Sequence, residues 1–477
     1  MAGDAAFFPA RGFPARLSDS VPPSFFVIIG GQPEYLRQPI SKDFVSRGGP
    51  GQRRVFPGGF MKINESKLSN GVRVVTAELS DSAAVAFHIY FGCGGRHERD
   101  EVVGVSHALE HMIFKGTPTR NTLDIAREME GNGATINANT GSERTCYHFK
   151  APADVFETVL DVYADAVNNS LLDADEWHRE RNVILEELKM YEDMPRAWVS
   201  EMLEITMFNL QVGVIGDKKS INAIEPEHMR ELIRDWYTPG NTVISVSGGI
   251  SHEEVAALSE KFFGGREGAT DQAQAPVLPH ESKKSYVEQV RQTDQVNLAI
   301  GFRAFGVNHD DGPALRLLCD ILGGKMSSRL FTEVREKRGL AYSVGAHPNR
   351  YSDAGYVEIK AGVALEKARE AVEVSLAEVA RMKNEPVGED ELDEAKRHIR
   401  GGLQINESSD YYAGRNGSNL LIRGRLYTVE EEIADINAVT AGDIQRVAGD
   451  IFRAEKMTAS VIAEKSMEDE VEPVLKI

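Results

Sequence analysis

The chain has 477 residues, 42% of them hydrophobic and 27% charged, long enough for two or more domains with substantial cores. Its formal net charge of −19 argues against nucleic acid or an anionic membrane as the main partner, and no apolar run approaches the ~20 residues of a membrane-spanning helix. Three widely spaced cysteines (Cys93, Cys146, Cys319) offer no disulfide framework and fit a reducing, cytoplasmic setting.

Residues 1–60 differ from everything after them. They hold 8 of the 19 prolines and 9 glycines, and their longest apolar run is Phe25-Phe26-Val27-Ile28-Ile29. That run is too short for a signal peptide, which needs about 7–15 apolar residues. The segment reads as a disordered extension or as sequence before a true start at Met61. An organelle transit peptide, which would place the protein in the mitochondrial matrix, is the alternative, weakened by Asp4, Asp19, Glu34 and Asp43.

A regular pattern begins near Leu68, with strands expected at 72–79 and 84–93. Next comes Val105-Ser106-His107-Ala108-Leu109-Glu110-His111-Met112, a His-x-x-Glu-His motif in an uninterrupted helical stretch. On a helix His107 and His111 are i and i+4 and project from one face, where two imidazoles can share a zinc ion. Glu110 lies in the same turn and can serve as a base toward a water activated there. A helix at 122–130, strands at 134–140 and 144–151, and helices at 153–167 and 173–191 follow. The last carries Glu180, Glu186 and Glu187. Glu180 and Glu187 are two turns apart on one face, and spacing alone leaves open which glutamate supplies a third ligand. A strand at 242–247 and a helix at 251–263 close a first domain, 61–265, and Gly-, Ala- and Pro-rich residues 266–280 read as a linker.

In 281–477 the same order returns: strands at 284–291, 295–304, 340–346 and 355–363, helices at 310–322, 328–338, 366–382 and 388–404, and a last strand at 458–463. A shift of 208 carries Arg127-Glu128 onto Arg335-Glu336, Gly131 onto Gly339 and Ala138 onto Ala346. It carries His107, Glu110 and His111 onto Leu315, Leu318 and Cys319, so the second copy keeps the fold marks and lacks the ligands. The expected fold is α+β: two homologous α/β domains from an internal duplication, each a mostly antiparallel sheet covered by helices on one side.

These motifs resemble the inverzincin zinc peptidases of the pitrilysin/insulinase type, in particular the mitochondrial-processing-peptidase-like branch of ~50 kDa subunits. In that family a ligand glutamate follows the motif helix by about 76 residues, which from His111 reaches Glu187. The resemblance continues through Tyr237-Thr238-Pro239-Gly240-Asn241, Gly323-Gly324-Lys325-Met326-Ser327-Ser328-Arg329-Leu330 and Arg335-Glu336-Lys337-Arg338-Gly339-Leu340-Ala341-Tyr342. It covers about residues 61–464. It departs at Asn209-Leu210-Gln211-Val212-Gly213-Val214-Ile215-Gly216, where relatives often carry His-Pro-Leu-Gly-Arg, and this bears on substrate preference.

The resemblance implies a zinc-dependent metalloendopeptidase acting on extended peptides or unfolded and precursor segments. One Zn²⁺ per chain would be held by His107, His111 and Glu187, with Glu110 as general base and Glu180 as a carboxylate beside the metal. Arg335 and Tyr342 would bind the substrate backbone and steady the tetrahedral intermediate, and an edge strand near Asn137 and Ala138 would pair with the peptide. It further implies a homodimer with composite sites, Arg335 and Tyr342 of one subunit completing the zinc site of the other. Two alternatives stand beside this reading. One is a non-catalytic core subunit of a peptidase-like complex; the other is a peptidase that depends on a different partner chain.

Overall fold

The computed structural model describes residues 62–271, 278, 285–406 and 408–477. The expectations for residues 1–60, for the start at Met61 and for most of the 266–280 linker lie outside the described residues.

Two sheets organise the chain. The first comprises β1 (Lys62–Lys67), β2 (Arg73–Glu78), β3 (Ala84–Phe91), β4 (Thr135–Thr140), β5 (Thr145–Pro152) and β6 (Thr242–Gly248), in the order β1-β2-β6-β3-β5-β4. The second comprises β7 (Ser285–Val290), β8 (Val296–Phe305), β9 (Ala341–Arg350), β10 (Ala354–Val363) and β11 (Met457–Ala463), in the order β7-β11-β8-β10-β9. Each has one parallel pair, β2 with β6 and β7 with β11, and is otherwise antiparallel. Superposing the orders matches β4 with β9 as edge strands and, among the described residues, leaves β1 without a counterpart. The expected duplication is therefore present in the topology. Strand β1 escapes a periodicity reading because Lys-Ile-Asn-Glu-Ser-Lys holds a single apolar residue. Edge strands need little burial, and charged side chains keep them from pairing with other chains.

Alternation explains which face each strand buries. In β3, Val85, Phe87, Ile89 and Phe91 enter the first core, where they meet Phe149, Phe156, Tyr163 and Phe263. In β8, Val296, Leu298, Ile300 and Phe302 do the same for the second. Helices back each sheet on that face. The opposite face is not left to solvent, which the expectation of one-sided cover did not include. Helix Pro195–Phe208 of the first half crosses the outer face of the second sheet, packing Val199, Leu203 and Met207 against Ala299, Tyr356 and Ile462. Helix Ser409–Ile422 of the second half returns the favour on the first sheet, with Leu420 and Leu421 against Val75, Tyr90, Cys146 and Val243. A glycine lies at each crossing. A Cβ on Gly301 would meet the Met207 methyl at 2.3 Å, and one on Gly417 would meet the Tyr90 ring at 2.4 Å. Each large apolar side chain buried here contributes about 1.5–3 kcal/mol, so the halves are fastened by exchanged helices.

Two segments expected as ordinary α-helix wind more widely. Asp320–Gly324 and Phe331–Glu336 take π-helical turns, the second visible in Lys337 N–H donating to the Thr332 carbonyl at 2.9 Å. Such widened turns let one extra residue project without breaking the helix. Arg335 lies on the second of them.

Candidate metal centre

The motif helix is Val105–Met112. It starts at Gly104, whose φ of +99° suits glycine and where a Cβ would meet the Ile215 carbonyl oxygen at 2.5 Å. Its free N–H groups are capped from the preceding loop: the Glu98 carboxylate accepts from Gly104 N–H at 2.6 Å and from Ser106 N–H at 2.7 Å. Burial pushes the Glu98 carboxyl up to about 7 against these hydrogen bonds. Apolar Val105, Ala108, Leu109 and Met112 anchor the helix in the first core, and the opposite side carries the two histidines.

The second contributor is helix Ala174–Glu192, capped by Asp173 accepting from Asp175 and Glu176 N–H. Its buried stripe is Trp177, Glu180, Ile184 and Leu188, and Trp177 is fixed by donating Nε1–H to the Ile224 carbonyl at 2.9 Å. A carboxylate within an apolar stripe is the informative exception to burial rules. Here that stripe brings Glu180 and Glu187 to the histidine pair, while Glu186 faces solvent and pairs with Lys189. Position thus separates Glu187 from Glu186.

His107 Nε2 and His111 Nε2 lie 3.2 Å apart, and Glu187 Oε2 is 3.7 Å from the first and 3.4 Å from the second. Zinc bonds of about 2.0–2.1 Å at tetrahedral angles separate the donor atoms by about 3.3–3.4 Å. The three atoms therefore fit one zinc ion, and two imidazoles with one carboxylate are a donor set of catalytic zinc sites. Burial, with His111 beside it, pushes the His107 ring well below its ordinary value, so it stays neutral as a ligand must. Burial would lower His111 too, but its hydrogen bonds to Glu180 and Glu187 prevail and hold it at about 9. The surrounding carboxylates favour positive charge at that point.

Support comes from behind. His111 Nδ1 meets Glu180 Oε1 at 2.9 Å, and Lys115 Nζ reaches Glu180 Oε2 at 2.5 Å. Burial alone would raise the Glu180 carboxyl; His111 and Lys115 keep it below its ordinary value, so it remains an anion that fixes the His111 ring. Glu110 is buried and accepts a hydrogen bond from the Thr140 hydroxyl through Oε2. Its Oε1 is buried and, among the described residues, without a partner. Burial pushes this carboxyl up to about 7, where a base for neutral-pH chemistry should sit.

Sequence reasoning missed Lys115, Thr140 and Glu98. Lys115 stands one turn beyond His111 and Thr140 ends the β4 strand, but neither position carries a motif of its own.

The residues expected to meet substrate lie on different elements. Asn137 and Ala138 lie on β4, an edge strand of the first sheet, and the Ala138 N–H is taken by Asn137 Oδ1 at 2.8 Å. Arg335 and Tyr342 are companions on the second half, the guanidinium 5.7 Å from the tyrosine ring centroid, with Tyr342 75% exposed. Among the described residues, no hydrogen bond, ion pair or ring contact joins either of them to His107, Glu110, His111 or Glu187.

Comparison with known proteins follows the same division. The model of the insulinase family, peptidase family M16, matches residues 73–215, and that of the M16 inactive domain matches residues 223–399. An uncharacterized zinc protease of Bacillus subtilis is 35% identical, over 82% of this chain and 96% of its own. One from Rickettsia felis is 32% identical, over 84% of this chain and 97% of its own. Among solved structures, an M16 inactive domain from Pseudomonas fluorescens superposes with a TM-score of 0.80 at 21% identity, covering 85% of this chain and 99% of its own. A protease from Helicobacter pylori gives 0.77 at 23%, covering 84% and 99%. A chain of Complex III2 from Candida albicans gives 0.76 at 17%, covering 87% and 99%.

Proposed function

Since the chain belongs to the M16 insulinase family of peptidases, we propose that it is a zinc-dependent endopeptidase for extended peptides or unfolded protein segments. The carrying observation is the buried triangle of His107, His111 and Glu187 donor atoms, spaced for one ion per chain, beside a Glu110 with an oxygen unpartnered among the described residues. Bound there, zinc supplies Lewis-acid polarisation of a water and of the scissile carbonyl. Glu110 Oε1 takes the proton from the attacking water and delivers it to the leaving amine nitrogen. Thr140 holds the other carboxylate oxygen, so Oε1 is the one left to face the reaction. Glu180 keeps the His111 ring oriented. The peptide adds as a strand beside β4, exchanging the Asn137 side chain for its own carbonyl at Ala138 N–H.

Arg335 and Tyr342 act in a homodimer, where Tyr342 of the partner subunit donates toward the developing oxyanion and Arg335 of the partner subunit holds the substrate backbone. The exposure of Tyr342 and its separation from its own His/Glu cluster support this shared arrangement. Three buried free cysteines support a reducing, cytoplasmic setting, and no helix among the described residues is long and apolar enough to cross a membrane. The scaffold reading draws on the likeness to a Complex III2 chain, which concerns the fold alone; the complete ligand set and Glu110 favour catalysis. The test is digestion of an unstructured peptide library by the full chain. Cleavage that chelator abolishes and zinc restores is expected; no cleavage by zinc-loaded, folded protein rejects the peptidase reading.

A further inference from the structure

The outer face of the first sheet holds a second cluster of ligating side chains, which the peptidase reading does not use. Strands β3 and β5 run antiparallel with His88 directly opposite His148. Directly opposed residues have Cβ atoms about 5 Å apart, and here the rings stack with centroids 4.7 Å apart. Helix Ser409–Ile422 covers this face, and its first turn brings Asp410 from the second half over the pair, Oδ1 lying 3.6 Å from His88 Nε2. One donor atom from each of the three residues lies within 4.8 Å of the other two.

The hydrogen bonds around His88 show what this arrangement lacks. The Tyr90 hydroxyl donates to the Gly414 carbonyl at 3.1 Å, so toward His88 Nδ1, 3.2 Å away, its oxygen is the acceptor. The Tyr90 oxygen thus favours a hydrogen on His88 Nδ1, whose other contact is the Cys146 thiol at 3.8 Å, and in that tautomer Nε2 presents a bare lone pair. That Nε2 is buried in a residue only 7% exposed, and among the described residues it has no hydrogen-bond partner. It points at a carboxylate oxygen, an acceptor facing an acceptor. A cation between them satisfies both. Burial pushes the His148 ring down to about 3, so this second imidazole keeps a lone pair.

We propose that His88, His148 and Asp410 form a second divalent-cation site, of the nitrogen-and-oxygen type that takes zinc, which clamps the crossing helix of the second half onto the first sheet. Two histidines and one carboxylate suit a borderline cation and not calcium or magnesium. The His88–Asp410 edge of 3.6 Å is close to the roughly 3.3–3.4 Å of a tetrahedral zinc site, so small side-chain rotations bring the donors together. Lys150 Nζ sits 3.3 Å from Asp410 Oδ2, the oxygen the cation would not use, and its charge makes this site weaker than the His107/His111/Glu187 centre. Because Asp410 comes from the other half, the ion would bind the folded, interlocked chain and stabilise it by mass action.

The test uses the full chain carrying His107→Ala and Glu187→Gln, so that the family site cannot contribute. Equilibrium dialysis against zinc, with cobalt as a spectroscopic substitute, is expected to retain one ion per chain and to raise the melting temperature by a few degrees. Adding His148→Ala or Asp410→Asn should remove both the ion and the shift. Circular dichroism and gel filtration verify folding, with His148→Gln as a closer replacement should the alanine variant misfold. A folded double variant that takes up no zinc overturns the proposal and assigns a proton to the His88–Asp410 contact. Uptake that survives both His148→Gln and Asp410→Asn overturns it equally.

Discussion

The two halves of this chain share the order of five strands and part in chemistry at one helix. In the first half, positions 107, 110 and 111 are His, Glu and His; 208 residues later they are Leu315, Leu318 and Cys319, each at most 2% exposed within the second core. The same backbone niche is filled by apolar side chains in one copy and by ionisable ones in the other. Folding does not require the polar set, and burying it has a cost: His107 is held far below its ordinary pKa, and Glu110 is raised to about 7. The first half carries that cost; the second half carries an exposed Tyr342 with Arg335 beside it. We read this as a division of labour, one copy for bond cleavage and the other for holding substrate.

The strongest way to break the comparison is to remove the ligands. Glu187→Gln should empty the site and eliminate measurable turnover, whereas Glu180→Gln, which only orients His111, should weaken zinc affinity by about 10–100-fold. Metal analysis after dialysis separates the two. Equal loss in both would make Glu180 a ligand in its own right.

A smaller but more discriminating effect concerns the second half. Tyr342→Phe should lower turnover by about 10²-fold through loss of one oxyanion donor. Mixing this chain with one carrying Glu110→Gln should restore activity, because one site of the mixed dimer then joins an intact first half to an intact Tyr342. Mixed dimers that form and stay inactive would place both elements within one subunit.

The least dramatic effect concerns the join between the halves. Glu201, on helix Pro195–Phe208, is raised to about 7 by burial and by Glu204 beside it. A carboxyl whose folded pKa exceeds its unfolded value of about 4.3 binds more protons when folded, so stability falls as pH rises between those values. Glu201→Gln should thus stabilise the chain at pH 8 and leave it nearly unchanged near pH 4. Denaturant melts at both pH values check the sign; equal shifts at both would contradict it.

Much of this was legible in the sequence, for physical reasons that also mark the gaps. The 3.6-residue period around His107 and His111 and the two-residue alternation of β3, β5 and β8 follow from which face is buried, so those elements fell within a few residues of their expected ends. The 208-residue repeat survived because glycines and core positions serve the fold in both copies. Periodicity says nothing about which sheet a helix crosses, so the exchange of Pro195–Phe208 and Ser409–Ile422 between halves was not foreseen. It is equally silent on Thr140 and Lys115, ordinary residue types whose roles arise from contacts with Glu110 and Glu180. Choosing Glu187 over Glu186 needed the family resemblance; in the structure the exposure of Glu186 and its pairing with Lys189 make the same choice.

We propose Glu110 as a base placed beside, and not within, the metal's ligand set. Glu110→Gln keeps the hydrogen bond to Thr140 and the shape of the site while removing the proton acceptor. Zinc content and peptide turnover measured on one preparation decide it. One ion per chain at the His107/His111/Glu187 centre, as in the unmodified protein, is expected, with turnover reduced by about 10²–10⁴-fold; unmodified turnover in the zinc-loaded variant would contradict the role of Glu110 as base.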